Sequence, residues 1–207
     1  YTGKEQVVIP CTLGRAHLQE PVAVEARREA LGFSPEDVVL VYSGSTAGWQ
    51  SFEMLEKLLR SVLDAQVHTK VLFLSPPHAD IDVFKKAYLG RVLTAWVPPA
   101  EVPQALQACD IALLLREDTL TNRVASPTKF AEYLACGLPV IISEGIGDFS
   151  ALVQKECLGV VHADGAALPV LERPSTEERT HCRAYALAHF TKAAHDAGYR
   201  KVLEAMV

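Results

Sequence analysis

The sequence predicts an α/β domain built on one doubly wound parallel sheet of about six strands. Three observations carry that expectation. Apolar runs of strand length alternate regularly with segments of helical spacing. The runs are apolar on both faces, as in a parallel sheet covered by helices on each side. Each run is followed by a polar or glycine-rich loop rather than a two-residue hairpin turn. At 207 residues and 49% hydrophobic content, the chain can bury a sizeable core.

The elements follow in order. Val38–Ser43 is the first strand, ending at Gly44, and Gln50–Leu63 is a helix with Phe52, Leu55, Leu58 and Leu59 on one face. Val71–Leu74 is a strand stopped by Ser-Pro-Pro-His, and Ile81–Leu89 a short helix. Arg91–Trp96 is the third strand, Pro99–Ala108 a helix, and Ile111–Leu115 a fourth, continuously apolar strand. After a loop, Arg116–Ala125, comes the most informative stretch, Ser126–Ser143. Ser126 suits an N-cap and Pro127 the first helical position, where no N–H is needed. Gly137 is placed for a left-handed C-cap, Pro139 forbids continuation, and Val140–Ile142 is the fifth strand. Phe149–Gln154 is a short helix and Gly159–His162 the sixth strand. Two helical segments, broken near His189–Thr191, fill Thr176–Val207.

Composition narrows the function classes. A net charge of -5 without a basic tract argues against nucleic acid as a partner. No run approaches about 20 apolar residues, so no membrane span is expected. The first ten residues lack a signal-peptide pattern, and the missing initiator Met suggests a segment excised from a longer chain. Five scattered cysteines read as small buried hydrophobes in a reducing compartment, and hence a cytoplasmic location, not as a disulfide framework or a metal site.

In such a sheet, ligands bind beyond the carboxyl ends of the strands, where strand order reverses. The residues leaving those ends include Gly44-Ser45-Thr46-Ala47-Gly48, Ser75 to His78, Arg116-Glu117 and Ser143 to Asp148. Lys129, in a first helical turn, opposes the positive end of the helix dipole. An anion sharing that site would reconcile the two, because amides and an ammonium together form a phosphate receptor. Bland readings stand beside this one. Lys129 could snorkel into solvent, the glycine loops could be plain turns, and Arg116 could pair with Glu117 or Asp118 at the surface. Only their convergence on one rim favours a binding site.

Pro127 to Ser143, with its Pro-Thr-Lys-Phe-Ala-Glu-Tyr-Leu-Ala-Cys-Gly-Leu-Pro-Val run, resembles the donor-binding signature of GT-B glycosyltransferases, glycosyltransferase family 4 (glycosyl transferases group 1) in particular. The likeness extends from the hinge-like VVIPCTLG through VLVYSGSTAGWQSFEML and VLTAWVPPAEVPQALQACDIALLL to HFTKAAHDAGYRKVLEAM. It implies the Rossmann-like C-terminal half of a GT-B fold: a hinge segment at 1–20, a nucleotide-sugar-binding domain at 21–175, and helices at 176–207 that pack back toward a missing N-terminal domain. It further implies a hexosyltransferase when full length, with this segment alone inactive. The donor would be a UDP- or GDP-linked sugar, used without a metal or other cofactor. The acceptor would be a glycan or lipid-linked molecule held by the N-terminal domain, which leaves peripheral membrane contact open. Glycan biosynthesis is the implied setting.

Position by position, the resemblance assigns Glu132 to the ribose hydroxyls, and Lys129 with Thr128 and Ser126 to the diphosphate. Gly44 and Ser45 match the glycine loop, Val97 a position that reads the base, and Gly145, Ile146 and Gly147 the loop after the fifth strand. Trp96 reads as core packing. The chain also departs from the pattern. Val124 stands where the family has a first glutamate, Ser45 where it has an arginine, and its lysine would fall around Trp49. Arg116 and Lys129 are therefore the candidate cations for the leaving group, and Glu117 a candidate replacement carboxylate. The alternatives are a sugar-nucleotide epimerase of GT-B form or a catalytically degenerate interaction domain. A receiver-like module is disfavoured, because Ser43-Gly44-Ser45 offers no paired acids for Mg²⁺.

Overall fold

The computed structural model describes residues 7–44 and 52–204. Its strands are β1 (Val38–Ser43), β2 (Thr69–Leu74), β3 (Val92–Ala95), β4 (Ile111–Leu114), β5 (Val140–Ser143) and β6 (Gly159–His162). They form one sheet in the order β3-β2-β1-β4-β5-β6, every pairing parallel. Strand order reverses between β1 and β4, which pair only at Leu40 with Ile111 and Val41 with Ala112. Beyond Val41 the two strands part, and a crevice opens at their carboxyl ends.

The helices are α1 (Val24–Ala30), α2 (Phe52–Ala65), α3 (Ala79–Ala87), α4 (Val102–Gln107), α5 (Leu120–Arg123), α6 (Thr128–Ala135), α7 (Phe149–Lys155), α8 (Thr176–His189) and α9 (Asp196–Glu204). Residue alternation along the strands builds two cores. Val39, Val41, Leu72, Ala112 and Val140 face a layer that includes Phe130, Tyr133 and Leu134 of α6. Leu40, Tyr42, Phe73, Leu113 and Ile141 face Leu55, Leu58 and Leu59 of α2 and Phe84 of α3.

Two details differ from the sequence reading. The loop after β4 contains α5, capped where the Thr119 hydroxyl accepts the Asn122 N–H. Ser126 does not cap α6; Pro127 occupies that position without a side-chain cap, and the Ser126 hydroxyl accepts the Cys11 N–H at 3.3 Å. The expected glycine stop holds. Gly137 adopts φ +74, with Gly137 N–H donating to Leu134 C=O and Leu138 N–H to Tyr133 C=O, a Schellman closure. α8 contributes Cys182 and Ala186, with Phe190 just beyond it, to the same core as α6. The first and last described segments also touch. Leu13 N–H donates to Phe190 C=O at 2.7 Å, and a Cβ on Gly198 would lie 3.0 Å from Val7.

At the amino-terminal end of the strands, opposite the crevice, Asp110 gathers charges from distant parts of the chain. It is wholly buried and pairs with Arg28 of α1 at 2.9 Å and Arg179 of α8 at 2.6 Å, with Arg173 at 3.4 Å. It also accepts the Val39 N–H of β1 at 2.8 Å. Arg28, 2% exposed, shares the same Nη1 with the Ala108 carbonyl and gives Nη2 to the Asp37 carbonyl. Removing one partner of such a cluster strands buried charge, a cost of about 3–5 kcal/mol. Asp110→Ala is therefore expected to lose stability of that order in urea denaturation. A loss below about 1 kcal/mol would mean that the arginines find other acceptors.

Candidate functional site

The crevice between β1 and β4 is lined from both sides. Tyr133 of α6 fastens that helix to the end of β1: its hydroxyl accepts the Ser43 N–H at 3.0 Å and lies 3.4 Å from the Ser43 carbonyl. This contact holds the α6 N-terminus, which has no side-chain cap, over the crevice. Lys129, in the first turn, lies with its Nζ 5.4 Å from the Tyr42 ring centroid. Arg116 follows β4, and the Ser143 hydroxyl pins its backbone by accepting its N–H and donating to its C=O, both at 2.8 Å.

Two cations thus converge in a half-buried place. Burial and then the Arg116 charge push the Lys129 ammonium down to about 8, against the opposing pull of Glu132. Burial also lowers Arg116. Arg116 makes no ion pair among the described residues, and its Nε is buried without a partner among them. Its nearest recorded bond is a long one, from Nη1 to Asn122 Oδ1 at 3.4 Å. The alternative pairing of Arg116 with Asp118 does not occur, because Asp118 binds Arg123 at 2.6 Å instead. Glu117 is exposed and engages through its backbone, its carbonyl accepting the Asn122 side-chain amide at 2.9 Å. Val124 is 76% exposed.

Beside the cations lies a cavity of about 300 Å³ lined by His17, Ser43, Gly44, Val97 and Glu132. Glu132 and Val97 therefore meet as the sequence suggested. Trp96 does not pack in the core. It is 68% exposed and lies one residue beyond the end of β3, an edge strand. Its ring borders the same cavity.

The glycine loops serve the fold more than expected. Gly44 adopts φ +131, and its N–H is spent on the Leu74 carbonyl at 2.9 Å, so it offers the cavity a close backbone rather than a donor. Ser45, and the family-lysine position near Trp49, lie outside the described residues. Ile146 is fully buried in the core and its amide donates to Ser150 Oγ at 3.1 Å. Gly147 N–H donates to the Asn122 carbonyl at 3.1 Å, and a Cβ there would lie 2.6 Å from the Ala125 carbonyl oxygen. Gly145 is packed against Asp118, 3.2 Å from where its Cβ would be. The loop after β5 therefore buttresses the one that carries Arg116. Thr128 is exposed at the α6 start, and Ser126 is diverted to Cys11.

Sequence reasoning missed Tyr133, Asn122 and His17. Asn122, 1% exposed, joins Arg116, Glu117 and Gly147, and the Thr-Leu-Thr-Asn capping pattern was its one local signal. A larger cavity, about 810 Å³, lies beyond the site, bordered by α1 and α8. Its arginines are engaged with Asp110, Glu20, Glu25 and backbone carbonyls.

A six-stranded parallel sheet in this order, with its reversal between β1 and β4, is a doubly wound architecture of the Rossmann type. The family described as "Glycosyl transferase-like" matches residues 50–206, and the chain belongs to it. Its fold is that of the C-terminal domain of GT-B glycosyltransferases. WaaG, a glycosyltransferase involved in lipopolysaccharide biosynthesis, is 16% identical with a TM-score of 0.64, over 90% of this chain and 55% of its own. HepE from Anabaena, solved in complex with UDP-glucose, is 16% identical with a TM-score of 0.64, over 92% of this chain and 54% of its own. The C-terminal domain of LpcC, a glycosyl transferase group 1 family protein from Francisella tularensis, is 10% identical with a TM-score of 0.54, over 84% and 86%. The chain spans about half the length of WaaG and HepE. No curated protein sequence matches it. No helix among the described residues is long and apolar enough to cross a membrane.

The Lys129 environment gives a direct test. An oxyanion between the two cations favours the protonated amine, so saturating pyrophosphate should raise the Lys129 pKa from about 8 toward the ordinary lysine value of 10.5. NMR of the ¹³C-lysine-labelled chain, assigned with Lys129→Arg, reads the shift. An unmoved titration would mean that no anion joins this pair.

Proposed function

We propose that the rim binds the diphosphate of a nucleoside-diphosphate sugar and that the chain is the donor half of a glycosyltransferase. The observation that carries this reading is the pairing of Arg116 and Lys129, two like charges held together beside an uncapped helix N-terminus. Such an arrangement is unfavourable alone and favourable around a doubly charged group. HepE's complex with UDP-glucose, in a related fold, supports the substrate class.

When the sugar is transferred, the bond from its anomeric carbon to the diphosphate oxygen breaks, and its electron pair leaves with the nucleoside diphosphate. Arg116, Lys129 and the first amides of α6 are already oriented toward that charge as it develops, which lowers the barrier. No metal is needed for this step in the proposed mechanism. The sugar passes through an oxocarbenium-like state, by analogy with glycoside hydrolysis. The attacking hydroxyl, and the base that takes its proton, belong to an acceptor-binding N-terminal domain. Glu132 holds the ribose, and Val97 borders the base. A second reading, nucleotide binding without turnover, is favoured by the exposed Val124 at the family's glutamate position.

Calorimetric titration with UDP, GDP and CMP tests the binding claim. One nucleoside diphosphate should bind the wild type, and Lys129→Ala and Glu132→Ala should each weaken it about tenfold, the worth of a charged hydrogen bond. If none binds at millimolar concentration, the donor-domain reading fails. With the full-length enzyme, sugar transfer from the bound donor separates the first reading from the second.

A further inference from the structure

We infer that His17 is a binding residue that shares recognition of the nucleoside's ribose hydroxyls with Glu132; the inference rests on the donor-site reading above. His17 comes from a turn at Arg15–Leu18, more than a hundred residues from α6 in sequence. It is only 8% exposed, and its Nε2 is buried without a hydrogen-bond partner among the described residues. Unpaired buried nitrogens are uncommon and costly, and because His17 lines an open cavity, a ligand seated there can supply the partner that the described residues do not.

The cavity states what that partner is. The His17 imidazole, the Glu132 carboxylate, Ser43 and the Trp96 indole are its polar side groups, while Leu74, Val97 and Val102 form an apolar wall. At about 300 Å³ it lies at the small end of ligand pockets and suits a nucleoside better than a whole nucleotide sugar. Burial lowers the His17 pKa, against the raising effect of the Glu132 charge, so the ring is neutral at pH 7. A neutral imidazole nitrogen either donates or accepts, whereas a carboxylate only accepts. A vicinal diol, whose hydroxyls do both, satisfies this pair at once. Lys129 precedes Glu132 by three residues, about 4.5 Å along the helix, so the ribose and phosphates of one nucleotide can engage both.

The test compares UDP and GDP with their 2′-deoxy and 3′-deoxy forms, using pyrophosphate as the phosphate-only control. Wild type should bind the better ribonucleotide at least tenfold more tightly than one of its deoxy forms. His17→Phe should lower that ratio about threefold or more, the remainder being the share of Glu132, and leave pyrophosphate affinity within twofold, and His17→Gln should restore part of the loss. If the wild type binds neither UDP nor GDP, the donor-site reading itself has failed. If it binds and His17→Phe discriminates as well as wild type, His17 is not the reader and the donor-site reading stands. A measurement on the unaltered chain covers the case in which the variants misfold. The ¹⁵N shift of His17 Nε2 should move on adding the nucleotide and stay still with pyrophosphate; an unmoved signal with bound nucleotide overturns the inference.

Discussion

One buried carboxylate fixes the frame on which the site stands. Asp110 sits at the entry to β4 and is held by arginines from α1, from residue 173 and from α8, together with an amide of β1. A charge this deep is tolerable only when every lone pair is met, so its partners have little freedom to shift. Two stretches far apart in sequence, 28–39 and 173–179, meet there at Asp110, and their union bears on how β1 and β4 lie side by side. The reversal of strand order, and hence the crevice, follows from that alignment.

The rim lies at the other end of the same two strands. There the Arg116 Nε and the His17 Nε2 are buried without a partner among the described residues, and burial beside Arg116 disfavours the Lys129 ammonium.

The architecture was legible because it rests on local signals. Apolar runs, the Gly137 stop and the Pro139 break each act through nearby backbone, and the structure has all three where they were expected. The resemblance to glycosyltransferases likewise pointed to the family that the chain joins. The site was legible in part. Lys129, Arg116, Glu132 and Val97 come together because helix and strand phase determine where they emerge. Their neighbours could not be read off, since His17 and Tyr133 act across long separations and carry no motif. The loop amides were misjudged for a related reason. Glycine marks a backbone that turns or approaches closely, but not where its N–H ends up, and Gly44 and Gly147 bond to the protein itself. Ser126 was drawn from its capping place by Cys11, and Trp96, just past the end of its strand, emerges exposed.

The grip of Tyr133 on Ser43 has a mechanical consequence. Where β4 diverges, β1 loses the neighbour that would have accepted its last N–H, and a phenol from α6 stands in for that missing strand. The sheet is thereby stitched to the receptor helix at the spot where it splits. Load applied by a ligand at the helix tip is borne by the strand as well, so the lip of the cleft answers as a single stiff body rather than as a hinged flap.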